Sequence, residues 1–175
     1  MRYRDVAAQR RDFSEFYRAS RDVCLRAVLA TVGDRDIAED LVAEAFARAC
    51  ASWRTVSAHP APAAWVVRTA LNTHVSWWRR RRRELPVPDP GRAAAHPPAA
   101  EPGTGSVDPW IMAALHRLPA RQREVVVLRL ILDLDTATTA RALGVAPNTV
   151  MAHMTRALAA LRTDLALRRP QEKRS

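Results

Sequence analysis

Residues 136–158 read TATTARALGVAPNTVMAHMTRAL, and this stretch decides the fold of the C-terminal part of the chain. Asp135 stands just before it as a helix N-cap. Thr136 to Leu143 then make a short helix, weakened by three threonines. Gly144 can take the left-handed conformation that turns a chain sharply. Pro147 fits the first turn of a second helix, predicted from Asn148 to about Leu167. A short helix, a glycine-centred turn and a longer helix form a helix-turn-helix unit. On the longer helix Val150, Met154, Ala157, Leu158 and Leu161 share an inner face, while Thr149, Ala152, His153 and Arg156 lie on the outer face near its start. The first turns of such a helix are where side chains meet base edges in the major groove.

Upstream of this unit, Trp110, Ala113, Ala114 and Leu118 predict a short amphipathic helix ended by Pro119. Ala120 to Leu132 predicts a strongly apolar one, with Val125, Val126, Leu128 and Ile131 inward. Asp133-Leu134-Asp135 forms the turn into the helix-turn-helix. Before all of these lies a stretch of different composition. Residues 85–109 hold seven of the twelve prolines and three of the five glycines. Proline at that density excludes a regular helix, so the segment is predicted to be an extended linker.

The N-terminal part is also helical by period. Phe13, Phe16, Tyr17, Leu25, Val28 and Leu29 mark an amphipathic helix over residues 11–32, with Ala19–Arg21 as the place where it would bend. Gly33-Asp34 ends it, and Asp34 or Asp36 caps a second helix running to about Trp53. Ile37, Leu41, Ala45 and Phe46 face inward there. Asp36, Asp40 and Glu44 recur every four residues as an acidic stripe. Carboxylates at this spacing repel one another, so the stripe suits a basic partner surface. A third helix is expected from about Ala63 to Arg83, on the order of 30 Å long. Its apolar face is Val67, Leu71, Val75 and Trp78. Its opposite face is Arg68, Asn72, Ser76, Arg79 and Arg83, closed by the run Arg79–Arg83. Trp53 and Trp65 are expected in the core. Trp77 and Trp78 are adjacent, so one face cannot bury both, and one is left to stack on a partner or an unpaired base.

Composition narrows the function. The 175 residues carry 28 Lys+Arg against 18 Asp+Glu, a formal charge of +10. Residues 1–84 and 110–175 are each net +6, and the spacer between them is net −2. Two basic blocks attract polyanions, with nucleic acid the usual partner. No apolar run is long enough to span a bilayer, and the polar N-terminus makes the cytoplasm the expected address. Cys24 and Cys50 cannot build a disulfide framework or a zinc site and are expected as small buried residues. The five histidines form no metal-ligand pattern, and no phosphate loop or nucleophile motif occurs, so neither cofactor, metal nor catalytic residue is expected.

Taken together these stretches resemble a known family. Asp36-Ile37-Ala38-Glu39-Asp40-Leu41-Val42-Ala43-Glu44-Ala45-Phe46 is similar to the core-polymerase-binding helix of bacterial sigma factors. Ala64-Trp65-Val66-Val67-Arg68-Thr69-Ala70-Leu71-Asn72, with Trp77-Trp78 and the arginine run, resembles their promoter −10 helix. Leu118 to Val125 and Ala142 to Val150 resemble their −35-binding domain. Two domains in this order resemble the extracytoplasmic-function group of the sigma-70 family. The resemblance implies an all-α chain: a region 2-like domain over 1–84, a flexible Pro/Ala-rich linker over 85–109, and a region 4-like helix-turn-helix domain with a basic tail over 110–175.

It also implies roles. Asp36, Asp40, Leu41 and Glu44 would bind core RNA polymerase. Arg68, Asn72, Ser76, Trp77, Arg79, Arg80 and Arg83, with the loop from Thr55 to Pro62, would hold the non-template strand of the −10 element. Asn148, Thr149, Ala152, His153 and Arg156 would read the duplex −35 element. An anti-sigma factor is an implied partner. Four positions depart from the family. Thr139 stands for an aliphatic residue, Ala146 for a Ser or Thr cap, and Met151 and His153 for basic residues. Each missing phosphate contact lowers the salt dependence of binding by roughly one unit. Two other functions compete: a helix-turn-helix regulator whose residues 1–84 sense or dimerise, and a membrane-surface protein anchored by Arg79–Arg83 and Trp77-Trp78.

Overall fold

The computed structural model describes residues 3–84 and 109–172, and all regular structure among them is helical. The side chains of residues 78–84 and the predicted linker up to residue 108 lie outside the described part, and so does the arginine run as a set of contacts. The order is α1 Tyr3–Val32, α2 Arg35–Ala51, α3 Trp53–Val56, α4 Pro62–Glu84, α5 Pro109–Arg117, α6 Ala120–Val126, a π-helical turn Val127–Ile131, α7 Thr136–Leu143 and α8 Pro147–Glu172.

Helices α1, α2 and α4 pack on one another as an N-terminal bundle. The expected caps and breaks are in place. Gly33 has φ +86° and ends α1. Asp34 then caps α2, its carboxylate accepting from the Ile37 amide at 3.0 Å. Helix α1 is helical without interruption through Ala19–Arg21. It rests on both α2 and α4. Leu41, Val42, Ala45 and Phe46 of α2 and Val66, Val67, Ala70 and Leu71 of α4 fill the core with Val28 and Cys24 of α1. Burial pushes the Cys24 thiol up to about 12, so it stays protonated. Trp53 is in this core as expected, its ring 4.9 Å from Phe16 and edge-on to Phe13 at 5.4 Å. Cys50, in contrast, is exposed on the outer side of α2.

In the C-terminal part, α6 and α8 cross closely and α7 lies against α8. Asp135 caps α7 with both oxygens, one accepting from the Thr138 amide and the other from its hydroxyl, each at 2.8 Å. Gly144 closes α7 at φ +67°, the backbone conformation the turn requires. The helix-turn-helix is therefore formed as the sequence predicts. Three details differ. Ala113 is exposed and Leu115 takes its place in the core, beside Ala114 and, just past the end of α5, Leu118. The single helix expected over 120–132 widens into a π turn at Val127–Ile131, which leaves Leu130 outside and is tied off by the Arg129 guanidinium donating to the Leu134 carbonyl. Helix α8 extends to Glu172.

The two halves do not stand apart. Leu115, Leu118, Val126, Val127, Leu128, Ala142 and Ala157 belong to the same apolar cluster as Val28, Leu41 and Val67. Helix α1 packs on α5, α6 and the π turn, and α4 packs on α7.

Candidate nucleic-acid interface

Helix α2 offers its acidic side to solvent. Asp36 and Asp40 are exposed and have no ion-pair partner among the described residues. Glu44 is half-buried and paired with Arg48 one turn on, and Glu39 is paired with Arg35 at 2.9 Å. The stripe is thus partly neutralised within the helix, by arginines that the carboxylate spacing alone did not reveal. Leu41, inward by its helical period but a polymerase contact by the resemblance, is fully buried. It holds the helix from inside and presents nothing to a partner. Beside the stripe runs a groove between α1 and α2 of about 240 Å³, lined by Tyr17, Arg21, Leu25, Asp40 and Phe46.

Helix α4 separates its faces by the helical period. Positions 66, 67, 70 and 71 go inward, which leaves Arg68, Asn72 and Ser76 exposed in a column along the other side. The Ser76 hydroxyl donates to the Asn72 carbonyl at 3.0 Å, leaving its lone pairs and the Asn72 amide to solvent. Trp77 is 45% exposed, as expected of one member of the pair, while the Trp78 side chain lies outside the described residues. Val75 is also 45% exposed, against the expectation that it lines the core, so α4 outruns the helices that cover it. The column can hydrogen-bond base edges and offers an indole to stack on. Arg68 turns toward the other domain, its guanidinium donating to the Ala142 carbonyl of α7. The side chains of Arg79, Arg80 and Arg83 lie outside the described residues.

Helix α8 begins with Asn148 exposed and Thr149 half-buried; Arg156 is exposed two turns on, and Ala152 and His153 are half-buried. The helix has no side-chain cap at Ala146, whose carbonyl accepts from the Thr149 and Val150 amides at 2.9 and 3.3 Å. Met151, where a basic residue was wanted for phosphate, is 58% exposed. Thr139 is fully buried beneath this helix, and its hydroxyl has no partner.

One cluster was missed by sequence reasoning. Arg123 reaches from α6 to donate to the Thr31 carbonyl at the end of α1 at 2.6 Å, and to the His116 and Leu118 carbonyls at 3.0 and 3.1 Å. Burial pulls the Arg123 guanidinium below its ordinary value, and burial together with the Arg123 charge lowers His116. The His116 ring lies against Gly33, so close that a Cβ there would sit 2.3 Å from its Cε1. The only sequence signal was Gly33 itself, which had read simply as a helix terminator.

These two units match two family models in order: Sigma-70 region 2 over residues 16–84 and Sigma-70, region 4 over residues 109–161. The chain belongs to the sigma-70 family of bacterial RNA polymerase sigma factors, in its two-domain extracytoplasmic-function group. It is a promoter-specificity factor that works with core RNA polymerase in transcription initiation. Among its relatives, the RNA polymerase sigma-E factor of Streptomyces coelicolor is 34% identical over 158 residues, covering 90% of this chain and 88% of that one. The sigma-E factor of Streptomyces antibioticus is 33% identical, covering 90% and 86%. The fold is similar to that of the sigma factor RpoE of Bartonella quintana, solved in complex with the anti-sigma factor NepR, at TM-score 0.76 and 26% identity over 89% of this chain and 97% of that one. No described helix is long and apolar enough to cross a membrane.

Proposed function

We propose that residues 1–84 dock on polymerase through α2 and capture the opened −10 strand through α4, while residues 110–175 hold the −35 duplex through α8. The observation that carries this is the opposite character of two faces on one small bundle. Asp36 and Asp40 point to solvent on α2, and Arg68, Asn72, Ser76 and Trp77 are exposed along α4. An acidic face beside a base-binding face suits a subunit that must touch a basic protein surface and nucleic acid together. Glu44 adds charge from the edge of the stripe, and Leu41 positions α2 from beneath. On α4 the bases would meet Asn72 and Ser76 on their edges and Trp77 on their faces, with Arg79, Arg80 and Arg83 on the backbone phosphates. On α8, Asn148, Thr149, Ala152, His153 and Arg156 would meet the duplex.

Strand opening then needs no catalytic group and no cofactor. Flipped bases held in protein pockets offset an unstacking cost of a few kcal/mol. The site of action is the cytoplasm, where polymerase and promoter are. The likeness to a sigma factor crystallised with an anti-sigma factor supports a regulatory partner of that class for this chain as well.

The test is Asp40→Lys with Glu44→Lys in the full chain. Core polymerase pulldown should be lost while circular dichroism is unchanged, and run-off transcription on genomic fragments should fall to the level of core alone. Retained core affinity would remove α2 from the interface. Liposome flotation of the wild type should show no binding, which separates this role from a membrane anchor.

A further inference from the structure

We propose that the start of α8 reads thymine, and that Met151, Ala152 and Thr155 do so by covering the C5-methyl groups that thymine carries into the major groove. The proposal rests on α8 being the helix that meets the −35 duplex, and it deepens that reading by naming what the helix selects. Met151 and Thr155 thereby join the residues that touch DNA.

Five side chains form one row on α8. Asn148, Met151, Ala152, Thr155 and Arg156 stand at i, i+3, i+4, i+7 and i+8, the spacing of a single helix face. The opposite face is fixed in the core by Val150 and Ala157, with Met154 partly buried beside both. Burial of that face turns the row outward. Asn148, Thr155 and Arg156 are exposed, Met151 is 58% exposed, and Ala152 between them is half-buried. Thr149 and His153 border the row, each half-buried, and the Nδ1 atom of His153 is buried.

The chemistry changes along the row. Asn148 at one end suits the major-groove edge of adenine, and Arg156 at the other suits that of guanine. Between them lie a thioether, a methyl, and the methyl and hydroxyl of a threonine. The ends are eight residues apart, about 12 Å along the helix, so the uncharged part covers roughly three base pairs. The only apolar group that a base pair presents in the major groove is the thymine methyl. An unbranched, polarizable methionine can mould itself to that group. Cytosine or guanine at the same place would lose water from its polar edge against Met151 and gain no partner, so the wrong pair is penalised as well as unrewarded. Residues 110–175 are net +6, yet Arg156 is the one cation among the five. General attraction to duplex therefore comes from the rest of the domain, and the row is left to discriminate.

Selection with the intact holoenzyme, the full chain on core polymerase, tests this. The probe is a duplex fragment that keeps the −10 region of a promoter active in run-off transcription and carries about ten randomised base pairs centred on −35. It is built once with thymine and once with deoxyuridine in that window. Uracil keeps the pairing and the O4 acceptor and lacks only the methyl. The thymine pool should enrich T·A pairs at two or more neighbouring positions. Remaking a selected sequence with uracil at those positions should weaken binding on the order of tenfold, since each buried methyl is worth about fourfold. Met151→Ala with Thr155→Ser should bring the thymine-to-uracil ratio close to one; both positions are exposed, so the core beneath is untouched. Equal affinity for the thymine and uracil versions overturns the proposal even where the window shows a sequence preference, and leaves Met151 to a protein partner. A ratio that the double variant does not move overturns it too. No preference in the window from either pool removes α8 from the −35 duplex, which is the failure of the underlying reading and not of the thymine contact alone.

Discussion

Thr139→Val should stabilise this protein. Thr139 sits in α7 with no exposed surface, and its hydroxyl meets no acceptor or donor. The helix-turn-helix has a small core of its own, built on Val125, Ala140 and Val150. A buried hydroxyl without a partner costs about 1–3 kcal/mol relative to the same group in water. Valine has the same branched shape and nearly the same helix propensity, so neither packing volume nor backbone preference changes much. The expected gain is about 1–2 kcal/mol, or roughly 3–6 °C in Tm for a chain of this size. Thr139→Ser keeps the hydroxyl and removes the methyl, so it should lose about 1 kcal/mol. The assay is urea unfolding followed by circular dichroism on all three proteins, with the slope m held constant as the check that only stability has moved. The expected order of midpoints is Val, then Thr, then Ser. A valine variant at or below wild type would refute the reasoning, because it would mean that the hydroxyl makes a bond worth keeping. Affinity for −35 duplex should be unchanged, since position 139 lies beneath α8 and away from its outer face.

Gly144→Ala should cost about 1–2 kcal/mol in the same unfolding assay, since φ is +67° there; the nearest atom to an added Cβ, Arg68 Nη2 at 3.7 Å, leaves room, so the penalty is backbone strain and not a clash. The Asp135 carboxyl is held below its ordinary value by the Thr138 amide, then by the Thr138 hydroxyl. Its folded-state value is depressed, so its stabilisation is complete above the ordinary value near 3.8 and is lost as pH falls through the folded value. Wild type and Asp135→Asn, compared by thermal melts from pH 6 to pH 2, should therefore converge at the acid end, and parallel curves would refute the cap's role in acid stability.

How much of this was legible in the sequence depended on range. Asp34, Asp135, Gly33 and Gly144 act on residues within one turn of themselves, and each lies where local chemistry placed it. Helix α4 was legible for two-thirds of its length. Its period told which residues share a face, but a period cannot say where the covering helices stop, and Val75 lies past that point. The acidic stripe was overstated for a similar reason: Arg35 and Arg48 fall at the right spacing to pair with Glu39 and Glu44, which counting carboxylates alone overlooks. The π turn at Val127–Ile131 needs one residue more per turn than the pattern assumed. Least legible was the domain contact. Arg123 and Thr31 are 92 residues apart in sequence, and an arginine in an Arg-rich chain carries no mark of the carbonyl it will find.

That contact mixes two kinds of interaction. A joint between two bundles that was purely apolar would open only at the cost of exposing all of its area, and one that was purely ionic would dissolve in salt. Here a modest apolar strip around Leu118 and Val127 is flanked by arginines on backbone carbonyls. The strip favours closure in water. The arginines give it register, since each reaches one carbonyl at one helix end. Arg68→Ala and Arg123→Ala should each weaken the contact between the halves and lower the urea midpoint, and if α4 holds the −10 strand as proposed, only Arg68→Ala should also weaken binding to a −10 probe in the polymerase complex.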